Sequence, residues 1–390
     1  MPLLGWPLLV TLALVTVLAT AAVVVLWSRV HGPASLRLAQ RVALVLCSQV
    51  AAVLLVAAAL NNYGFFYGSW SDLLGTTVAA PRDGAPPRSG ILAAGVGTRA
   101  DRKQFARLVS ADPPIAGVTS WSAPSQWPTR GRVQAMQVTG GHSRLSEEAL
   151  VYLPPQYFQK AYSHSQFPAV EVLTGYPGAT RGLVLRMHYP DVLLAQIKAH
   201  RSVPMVLVMM RPTVVPPRDT ECTDVPAGPQ ALTYFAEDVP RAIAQSLRVR
   251  PTGWGAMGDS TGGYCATKMA MTHSSTIVAA VSLSGYYHTL KDGTTGDLWG
   301  GSAQVRSLND LEWVLRHQPA PPVAVLATIG SKELSRTGVR DTMLFASLVK
   351  PPMQLTTVVV PGGGHNFDTW AQVMPRAFTF LSSHLAPSGG

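Results

Sequence analysis

One serine stands among small residues at the junction of two predicted elements. Ser260 lies in Gly258–Gly262, which reads GDSTG and fits the pattern G-x-S-x-G. The apolar run Trp254–Met257 precedes it and the helix-like segment Gly262–His273 follows it. A sharp strand-to-helix turn exposes the serine hydroxyl, and small neighbours let the strand and the helix approach closely. The pattern alone is common, but this context favours Ser260 as a nucleophile over an incidental glycine turn.

A serine nucleophile needs a base, and the base needs a carboxylate to orient it. His365 follows the predicted strand Gln354–Val360 and three glycines. Where a serine lies on such a turn, the nucleophile, the acid and the base come in that order along the chain, so the base is expected in the last loop. We therefore predict that His365 is the base. Of two carboxylates beyond the predicted strand Val323–Thr328, Glu333 lies in the loop and Asp341 in the next helix-like segment, so Glu333 is the predicted acid. The remaining candidate histidines precede the acid or fall in helical patterns: His188, His273, His288 and His317.

Two backbone N–H groups are expected to bind the oxyanion that forms during acyl transfer. One belongs to Thr261, the residue after the nucleophile, and the other to the loop that follows an earlier strand. That loop is Leu173–Gly182, and Tyr176 is the candidate donor. A tight Gly-Pro turn without this role is compatible with the same residues. Asp259 is either a hydrogen-bond partner at the turn or a helix-start carboxylate, and we favour the second interpretation.

The three cysteines divide into one apolar residue and one pair. Cys47 lies in an N-terminal apolar run, where it serves as a small hydrophobic side chain. Cys222 and Cys265 remain, and a pair outside the cytoplasm favours a disulfide over two free thiols. Such a bond would brace the rim of the predicted site.

The elements that would position these residues alternate between strands and helices. This alternation predicts an α/β fold with a mostly parallel, doubly wound sheet, the architecture of α/β hydrolases. The predicted strands are Ala149–Leu153, Ala169–Leu173, Met205–Met210, Trp254–Met257, Ala279–Leu283, Val323–Thr328 and Gln354–Val360. The helix-like segments are Asp191–His200, Leu232–Ser246, Gly262–His273, Leu308–His317, Arg336–Val349 and Phe367–Leu385.

The N-terminal part is apolar enough to cross a membrane twice. Pro2–Trp27 holds no charge, and Val42–Leu60 is a second apolar run. A span of about 20 apolar residues crosses a bilayer as a helix, whereas a signal peptide has a basic start and a shorter apolar run. We predict a transmembrane hairpin whose basic connector faces the cytoplasm, so both ends lie outside. The connector carries Arg29, His31, Arg37 and Arg41.

The resulting division of the 390 residues is a hairpin at 1–62, a Pro- and Gly-rich extracytoplasmic linker at 63–130, and an esterase-like domain at 131–390. The net charge is +10, but the basic residues are scattered and no nucleic-acid motif occurs, so no nucleic-acid partner is expected. The expected partners are an acyl-ester substrate and the membrane. No metal and no cofactor are expected.

The predicted domain resembles the esterase family that includes esterase D and the bacterial mycolyltransferases, in an actinobacterial membrane-anchored branch. The resemblance rests on these segments: Glu148–Tyr157, Leu173–Gly178, Gly258–Gly263, Gly330–Leu334 and Gly364–Trp370. It implies metal-free ester hydrolysis or acyl transfer, with Ser260 as nucleophile, Glu333 as acid and His365 as base. Mycolyltransferases have an Asp where this chain has Thr174, so the resemblance does not carry their sugar contact to this chain.

Three functions are compatible with these residues. The leading hypothesis is an extracytoplasmic serine esterase that works through an acyl-enzyme. A cell-envelope acyltransferase would use the same groups and replace water by a sugar or lipid hydroxyl. An inactive esterase fold that serves as a membrane-bound scaffold is the alternative outside enzymes.

Overall fold

In a computed structural model, the described part of the chain comprises residues 3, 5–64, 70–73, 106–108, 118 and 121–385. The chain divides into two compact units, Met1–Ala79 and Ala80–Gly390. Most of the predicted linker 63–130 lies outside the described residues. Each unit is considered by itself.

The first unit contains two long apolar helices, α1 (Trp6–Leu26) and α2 (Ala34–Gly64), and a short helix α3 (Trp70–Leu73). By length and composition, α1 and residues 34–62 of α2 are candidate membrane spans, and almost none of their surface is buried within the protein. The helices pack against each other, and the N–H of Gly5 donates to the side chain of Asn62 at 2.6 Å.

The connector of this hairpin is shorter than the sequence predicted. Arg29 and His31 lie in it, but Arg37 and Arg41 already belong to the first turns of α2. The physical reason is that Leu, Ala, Gln and Arg are good helix formers, so the helix extends beyond the apolar run toward its polar end. The guanidinium of Arg41 lies over the ring of Trp27, 4.9 Å from its centre.

The second unit is built on one nine-stranded sheet of order β1-β2-β3-β5-β4-β6-β7-β8-β9. Strands β1, β2, β3 and β5 pair antiparallel, and the six strands from β5 to β9 pair parallel. The strands are β1 (Ala106–Leu108), β2 (Arg132–Thr139), β3 (Ser146–Leu153), β4 (Ala169–Leu173), β5 (Val206–Met210), β6 (Trp254–Asp259), β7 (Ile277–Leu283), β8 (Ala324–Gly330) and β9 (Gln354–Val360).

Helices cover both faces of this sheet, as the α/β pattern predicted. Helices α5, α6 and α13 pack on one face, and α8, α9, α11 and α12 pack on the other. The helices of this unit are α4 (Trp127–Arg130), α5 (Thr180–Leu185), α6 (Tyr189–Lys198), α7 (Ala231–Thr233), α8 (Val239–Ser246), α9 (Thr261–Thr272), α10 (Ala303–Asn309), α11 (Leu311–His317), α12 (Val339–Leu348) and α13 (Phe367–Leu385). Each apolar face of the sheet is thereby buried, which is the arrangement of α/β-hydrolase folds.

All seven strands predicted within residues 131–390 are present, and the described residues contain two further strands that were not predicted. A short strand expected at Ile91–Val96 lies outside the described residues. Strand β2 was not predicted, because Gln134 and Gln137 interrupt its run of apolar residues. Strand β1 has three residues, too few for a periodic pattern, and it comes from within the predicted linker.

The strand order reverses at β4, because β5 lies on one side of it and β6 on the other. In open α/β sheets, ligands bind in the crevice that such a reversal opens at the carboxyl ends of the strands. The loops that follow β4 and β6 therefore border the expected binding site.

Candidate active site

Ser260 stands alone between β6 and α9, in a backbone conformation that L-residues rarely adopt. Its φ is 52° and its ψ is −120°. Two glycines allow this turn, since a Cβ on Gly262 would lie 2.2 Å from the carbonyl oxygen of Leu173, and one on Gly258 would lie 2.4 Å from the backbone of Gly262. The strained turn and the bare backbone around it are the features of a nucleophile elbow.

His365 connects Ser260 to Glu333 through hydrogen bonds at its two ring nitrogens. Its Nε2 lies 3.0 Å from Oγ of Ser260. Its Nδ1 lies 2.7 Å from Oε2 of Glu333. The three residues follow β6, β8 and β9, whose carboxyl ends lie at one edge of the sheet. The three side chains selected from the sequence are therefore brought together, over separations of 105 and 32 residues.

Glu333 is held on its other side by groups that sequence reasoning missed. Its side chain is 4% exposed. Oε1 accepts a hydrogen bond from the hydroxyl of Ser284 at 2.6 Å and another from the N–H of Gly330 at 2.8 Å. Burial alone would raise the pKa of Glu333, but the hydrogen bonds from His365, Ser284 and Gly330 outweigh burial and leave this pKa below its usual value. The carboxylate is therefore ionised at neutral pH and oriented toward the imidazole.

The sequence could have predicted that Ser284 lies near the triad, because it directly follows β7 and so lies at the same edge of the sheet. It is buried, its φ is 51°, and its hydroxyl accepts a hydrogen bond from the indole of Trp370 at 2.9 Å. Trp370 in turn packs edge-on against His365, with ring centres 5.2 Å apart.

The loop after β4 is fastened to the elbow by Asp259. The N–H of Gly175 donates to Oδ2 of Asp259 at 2.8 Å. Of the two interpretations of Asp259, the structure supports the hydrogen-bond partner and not the helix-start carboxylate that we favoured. The reason is that Asp259 ends β6 with a buried side chain, so its carboxylate cannot remain in solvent. Burial raises its pKa to about 6, although the bond from Gly175 and the charge of His365 lower it.

Thr261 and Tyr176, whose N–H groups are the predicted donors to the oxyanion, both line the same cavity as Ser260. Thr261 is the first residue of α9, so its N–H has no acceptor within the helix. Tyr176 lies in the loop after β4, and its hydroxyl donates to the carbonyl of Pro217 at 2.5 Å.

A second group of buried polar side chains adjoins Thr261, and sequence reasoning missed it entirely. The hydroxyl of Thr261 donates to Asp219 at 3.0 Å, and the hydroxyl of Tyr286 donates to Glu221 at 2.6 Å. Burial raises the pKa of Asp219 to about 6 and also raises the pKa of Glu221. Lys268, buried in α9, donates to the carbonyl of Glu221 at 3.1 Å, and burial lowers its pKa. These acids lie in an irregular loop after β5, where no periodic pattern marks them.

The cavity around Ser260 has a volume of about 480 Å³, and polar and apolar groups share its wall about equally. Carboxylates and hydroxyls, among them the carboxylate of Asp292, line the cavity, and Leu290 and Leu334 contribute apolar surface. The side chain of His365 is 48% exposed, so water can reach the hydrogen-bonded pair from outside.

The predicted disulfide between Cys222 and Cys265 is present. Its sulfurs are bonded at 2.09 Å and both residues are fully buried. The bond connects the segment that carries Asp219 and Glu221, two residues that line the cavity, to the second turn of α9.

The sheet, its layers and its serine turn define this chain as a protein of α/β-hydrolase fold. A family sequence model described as "Putative esterase" matches residues 146–381, more than half of the chain, and the chain belongs to that family. This family membership makes it a hydrolase or acyltransferase and confirms the resemblance deduced from the motifs. No curated protein matches the chain in sequence.

Solved structures with the same fold differ widely from this chain in sequence. An S-formylglutathione hydrolase from Agrobacterium tumefaciens is 15% identical, with a TM-score of 0.55 over 66% of this chain and 96% of its own. A ferulic acid esterase is 16% identical, with a TM-score of 0.54 over 65% and 98%. FphF, a fluorophosphonate-binding serine hydrolase of Staphylococcus aureus, is 16% identical, with a TM-score of 0.51 over 65% and 98%. At these identities the likeness concerns the fold alone.

Proposed function

We propose that this protein is a membrane-anchored serine carboxylesterase whose domain at 131–390 lies on the outer side of the membrane. The observation that carries the proposal is the continuous hydrogen-bonded series from Ser260 through His365 to Glu333, at 3.0 and 2.7 Å. Such a series is what activates a hydroxyl as a nucleophile at neutral pH.

In the proposed reaction, Oγ of Ser260 attacks the ester carbonyl while Nε2 of His365 takes the hydroxyl proton. Glu333 holds the Nδ1–H of His365 and stabilises the imidazolium. The tetrahedral intermediate collapses when the alkoxide leaves with the proton from His365, which leaves an acyl group on Ser260. Water then attacks the acyl carbon and gives a proton to His365. The second tetrahedral intermediate collapses as the bond from the acyl carbon to Oγ of Ser260 breaks, Oγ takes the proton back from His365, and the free acid departs.

The negative oxygen of each tetrahedral intermediate is proposed to accept hydrogen bonds from the N–H groups of Thr261 and Tyr176. One such donor contributes about 3 kcal/mol to catalysis in comparable sites. The bond from Gly175 to Asp259 supports this assignment, because it ties the loop of Tyr176 to the turn of Ser260.

Hydrolysis is favoured over acyl transfer because His365 is half exposed. An acyltransferase must keep water from the acyl-enzyme, whereas here the side chain that activates the acceptor is accessible to solvent. The two activities differ in product: a transferase forms a new ester when a sugar or lipid alcohol is added, and an esterase releases the free acid.

The proposed location depends on the hairpin. Helix α1 and most of α2 could span a bilayer, and the connector between them carries Arg29, His31 and no acidic residue. Positive residues in short connectors remain on the cytoplasmic side, which would place the residues after α2 outside. A hairpin at 1–62 and a linker at 63–130 would then tether the catalytic domain to the membrane surface.

The test of the activity uses the full chain in detergent and p-nitrophenyl esters from acetate to palmitate. We expect turnover that falls at least about 10³-fold in Ser260→Ala, and labelling of Ser260 by a phosphonate probe. Free acid as the main product in the presence of sugar acceptors would support the esterase over the transferase. No turnover and no labelling by the intact protein would favour the scaffold hypothesis.

The test of the location uses a cysteine placed on the exposed surface of α12, as Ser347→Cys. A maleimide that cannot cross membranes should label this variant in intact cells from which any outer wall barrier has been removed. Labelling only after the cells are lysed would place the domain in the cytoplasm and would contradict the proposed orientation. The unmodified protein, whose only free cysteine is Cys47, is the control.

A further inference from the structure

A cluster of titratable side chains lies outside the proposed triad, where the segments after β7 and β8 meet α11. His288 follows β7, Glu312 is in the first turn of α11, and Asp341 is in the first turn of α12. One potential ligand atom from each residue lies within 4.8 Å of the other two. Neither His288 nor Asp341, the less favoured candidates for the base and the acid, takes part in the proposed reaction.

The ring of His288 is fixed by Asp341. Nδ1 of His288 lies 2.5 Å from Oδ1 of Asp341, and Oδ2 of Asp341 accepts the N–H of Tyr287 at 3.0 Å. When Nδ1–H donates to the carboxylate, the lone pair of the imidazole is on Nε2. A carboxylate that orients a histidine in this way is the usual partner of a metal-binding imidazole.

Two atoms of the cluster are buried with no hydrogen-bond partner in the described part of the chain: Nε2 of His288 and Oε1 of Glu312. The side chain of Glu312 is 9% exposed, and its other oxygen lies 3.5 Å from Arg316. Buried polar atoms are normally satisfied, and each unsatisfied one costs about 1–3 kcal/mol.

We propose that His288 and Glu312 bind a divalent transition-metal ion, with Zn²⁺ as the best-suited probe, and that Asp341 orients the imidazole. A nitrogen and carboxylate oxygens form a donor set that suits Zn²⁺, whose ligands lie at about 2.0–2.2 Å. Tetrahedral ligands at that distance are about 3.4 Å apart, so the two side chains would rotate to bring their ligand atoms to the ion. Water would complete the coordination.

The bound ion would hold one wall of the cavity. Tyr286 and Leu290, which flank His288 at a distance of two residues, both line the cavity around Ser260. The ion would connect this segment directly to α11, and to α12 through the bond between His288 and Asp341. Its role would be structural, because neither ligand lines that cavity.

The test measures Zn²⁺ binding by the full chain in detergent, freed of metal by a chelator and of any histidine tag. We expect one bound ion per chain in competition with a chromophoric chelator, and a rise in the unfolding midpoint of about 5 °C or more at saturating Zn²⁺. In His288→Gln and in Glu312→Gln, the affinity should fall at least about tenfold and the rise in midpoint should be lost. His317→Gln, an exposed histidine on α11, is the matched control.

Circular dichroism before addition of Zn²⁺ separates loss of the site from loss of the fold. If either His288→Gln or Glu312→Gln fails to fold, the affinity of the other variant still tests the site. Unchanged affinity in both variants would overturn the proposal, as would the absence of stoichiometric binding by the unmodified protein. Binding that is lost instead in His273→Gln would place the ion at the surface pair of His273 and Glu237, 3.4 Å apart, and would also overturn it.

Discussion

The hydroxyl of Ser284 donates a hydrogen bond of 2.6 Å to Oε1 of Glu333, the oxygen that does not face His365. Because Ser284 also accepts a hydrogen bond from Trp370, its hydroxyl hydrogen is directed toward the carboxylate. The acid of the proposed triad is therefore fixed before any substrate binds. Fixed supporting groups of this kind set the geometry of catalytic side chains to within fractions of an ångström.

Ser284→Ala should lower kcat about tenfold and leave KM nearly unchanged. A hydrogen bond to a charged group contributes about 1.5–3 kcal/mol, and part of this contribution is lost as Glu333 gains freedom to turn away from His365. Steady-state hydrolysis of a p-nitrophenyl ester measures the effect. Ser347→Ala, an exposed serine on α12, is the control, and a kcat equal to that of the unmodified protein would contradict the assigned role.

The same substitution should change how stability depends on pH. The pKa of Glu333 is depressed in the fold, so its stabilisation is complete above its ordinary pKa of about 4.5 and is lost as the pH falls through the folded value. Removal of the bond from Ser284 reduces that depression. The unmodified protein should therefore lose more unfolding free energy between pH 6 and pH 3 than Ser284→Ala does, as measured by denaturant titration. Equal losses would argue against this bond.

Asp259→Ala should lower kcat about 10- to 100-fold, because the loop of Tyr176 loses its anchor at Gly175. One donor to the oxyanion is worth roughly this factor or more when it is removed outright. Asp259→Asn keeps an acceptor oxygen for the N–H of Gly175, so its kcat should lie between that of the unmodified protein and that of Asp259→Ala. The rate of labelling of Ser260 by a phosphonate probe provides a second measurement. If Asp259→Ala retained full activity, the link between this bond and catalysis would be wrong.

Removal of the disulfide should destabilise the domain without unfolding the N-terminal helices α1 and α2. The bond between Cys222 and Cys265 closes a loop across a sequence separation of 43 residues, for which the chain-entropy model gives about 4 kcal/mol. We expect the double variant Cys222→Ala, Cys265→Ala to lose about 2–4 kcal/mol of unfolding free energy. Cys47→Ala should leave the stability of the domain unchanged. An unaffected double variant would mean that the surrounding core alone holds the segment of Glu221.

Glu171→Gln should stabilise the protein, and increasingly so as the pH rises. Glu171 is fully buried in β4, and neither of its oxygens has a hydrogen-bond partner within the described ranges. Burial raises its pKa well above the ordinary value, so the fold favours the protonated form. Its contribution is complete below about pH 4.5 and declines as the pH rises through the folded pKa, by about 1.4 kcal/mol per unit in that window.

Denaturant titrations at pH 5 and pH 8 measure this effect, and Glu147→Gln, half-buried in β3, is the control. The stability difference between Glu171→Gln and the unmodified protein should be larger at pH 8 than at pH 5. An equal difference at both pH values would show that Glu171 has a partner that keeps it ionised.

Much of the architecture was predictable from local sequence. The strands Ala169–Leu173 and Gln354–Val360 have the predicted bounds, because Val and Leu dominate the first and Val and Thr the second. The first is buried along its whole length, whereas the second is a partly exposed strand at the edge of the sheet. Ser260 was identifiable because the sharp turn permits only glycine at Gly258 and Gly262. His365 and Glu333 followed from their positions after strands, since the carboxyl ends of parallel strands meet at one edge.

Tertiary structure alone decided which polar groups meet across the edge of the sheet. The bond from Gly175 to Asp259 spans 84 residues, and the one from Ser284 to Glu333 spans 49. Neither has a local pattern, because a single serine or aspartate after a strand looks the same whether it faces solvent or a buried partner. Hydrophobic periodicity records which side of an element is buried, and only the packed sheet determines which hydrogen-bonding groups that burial brings together.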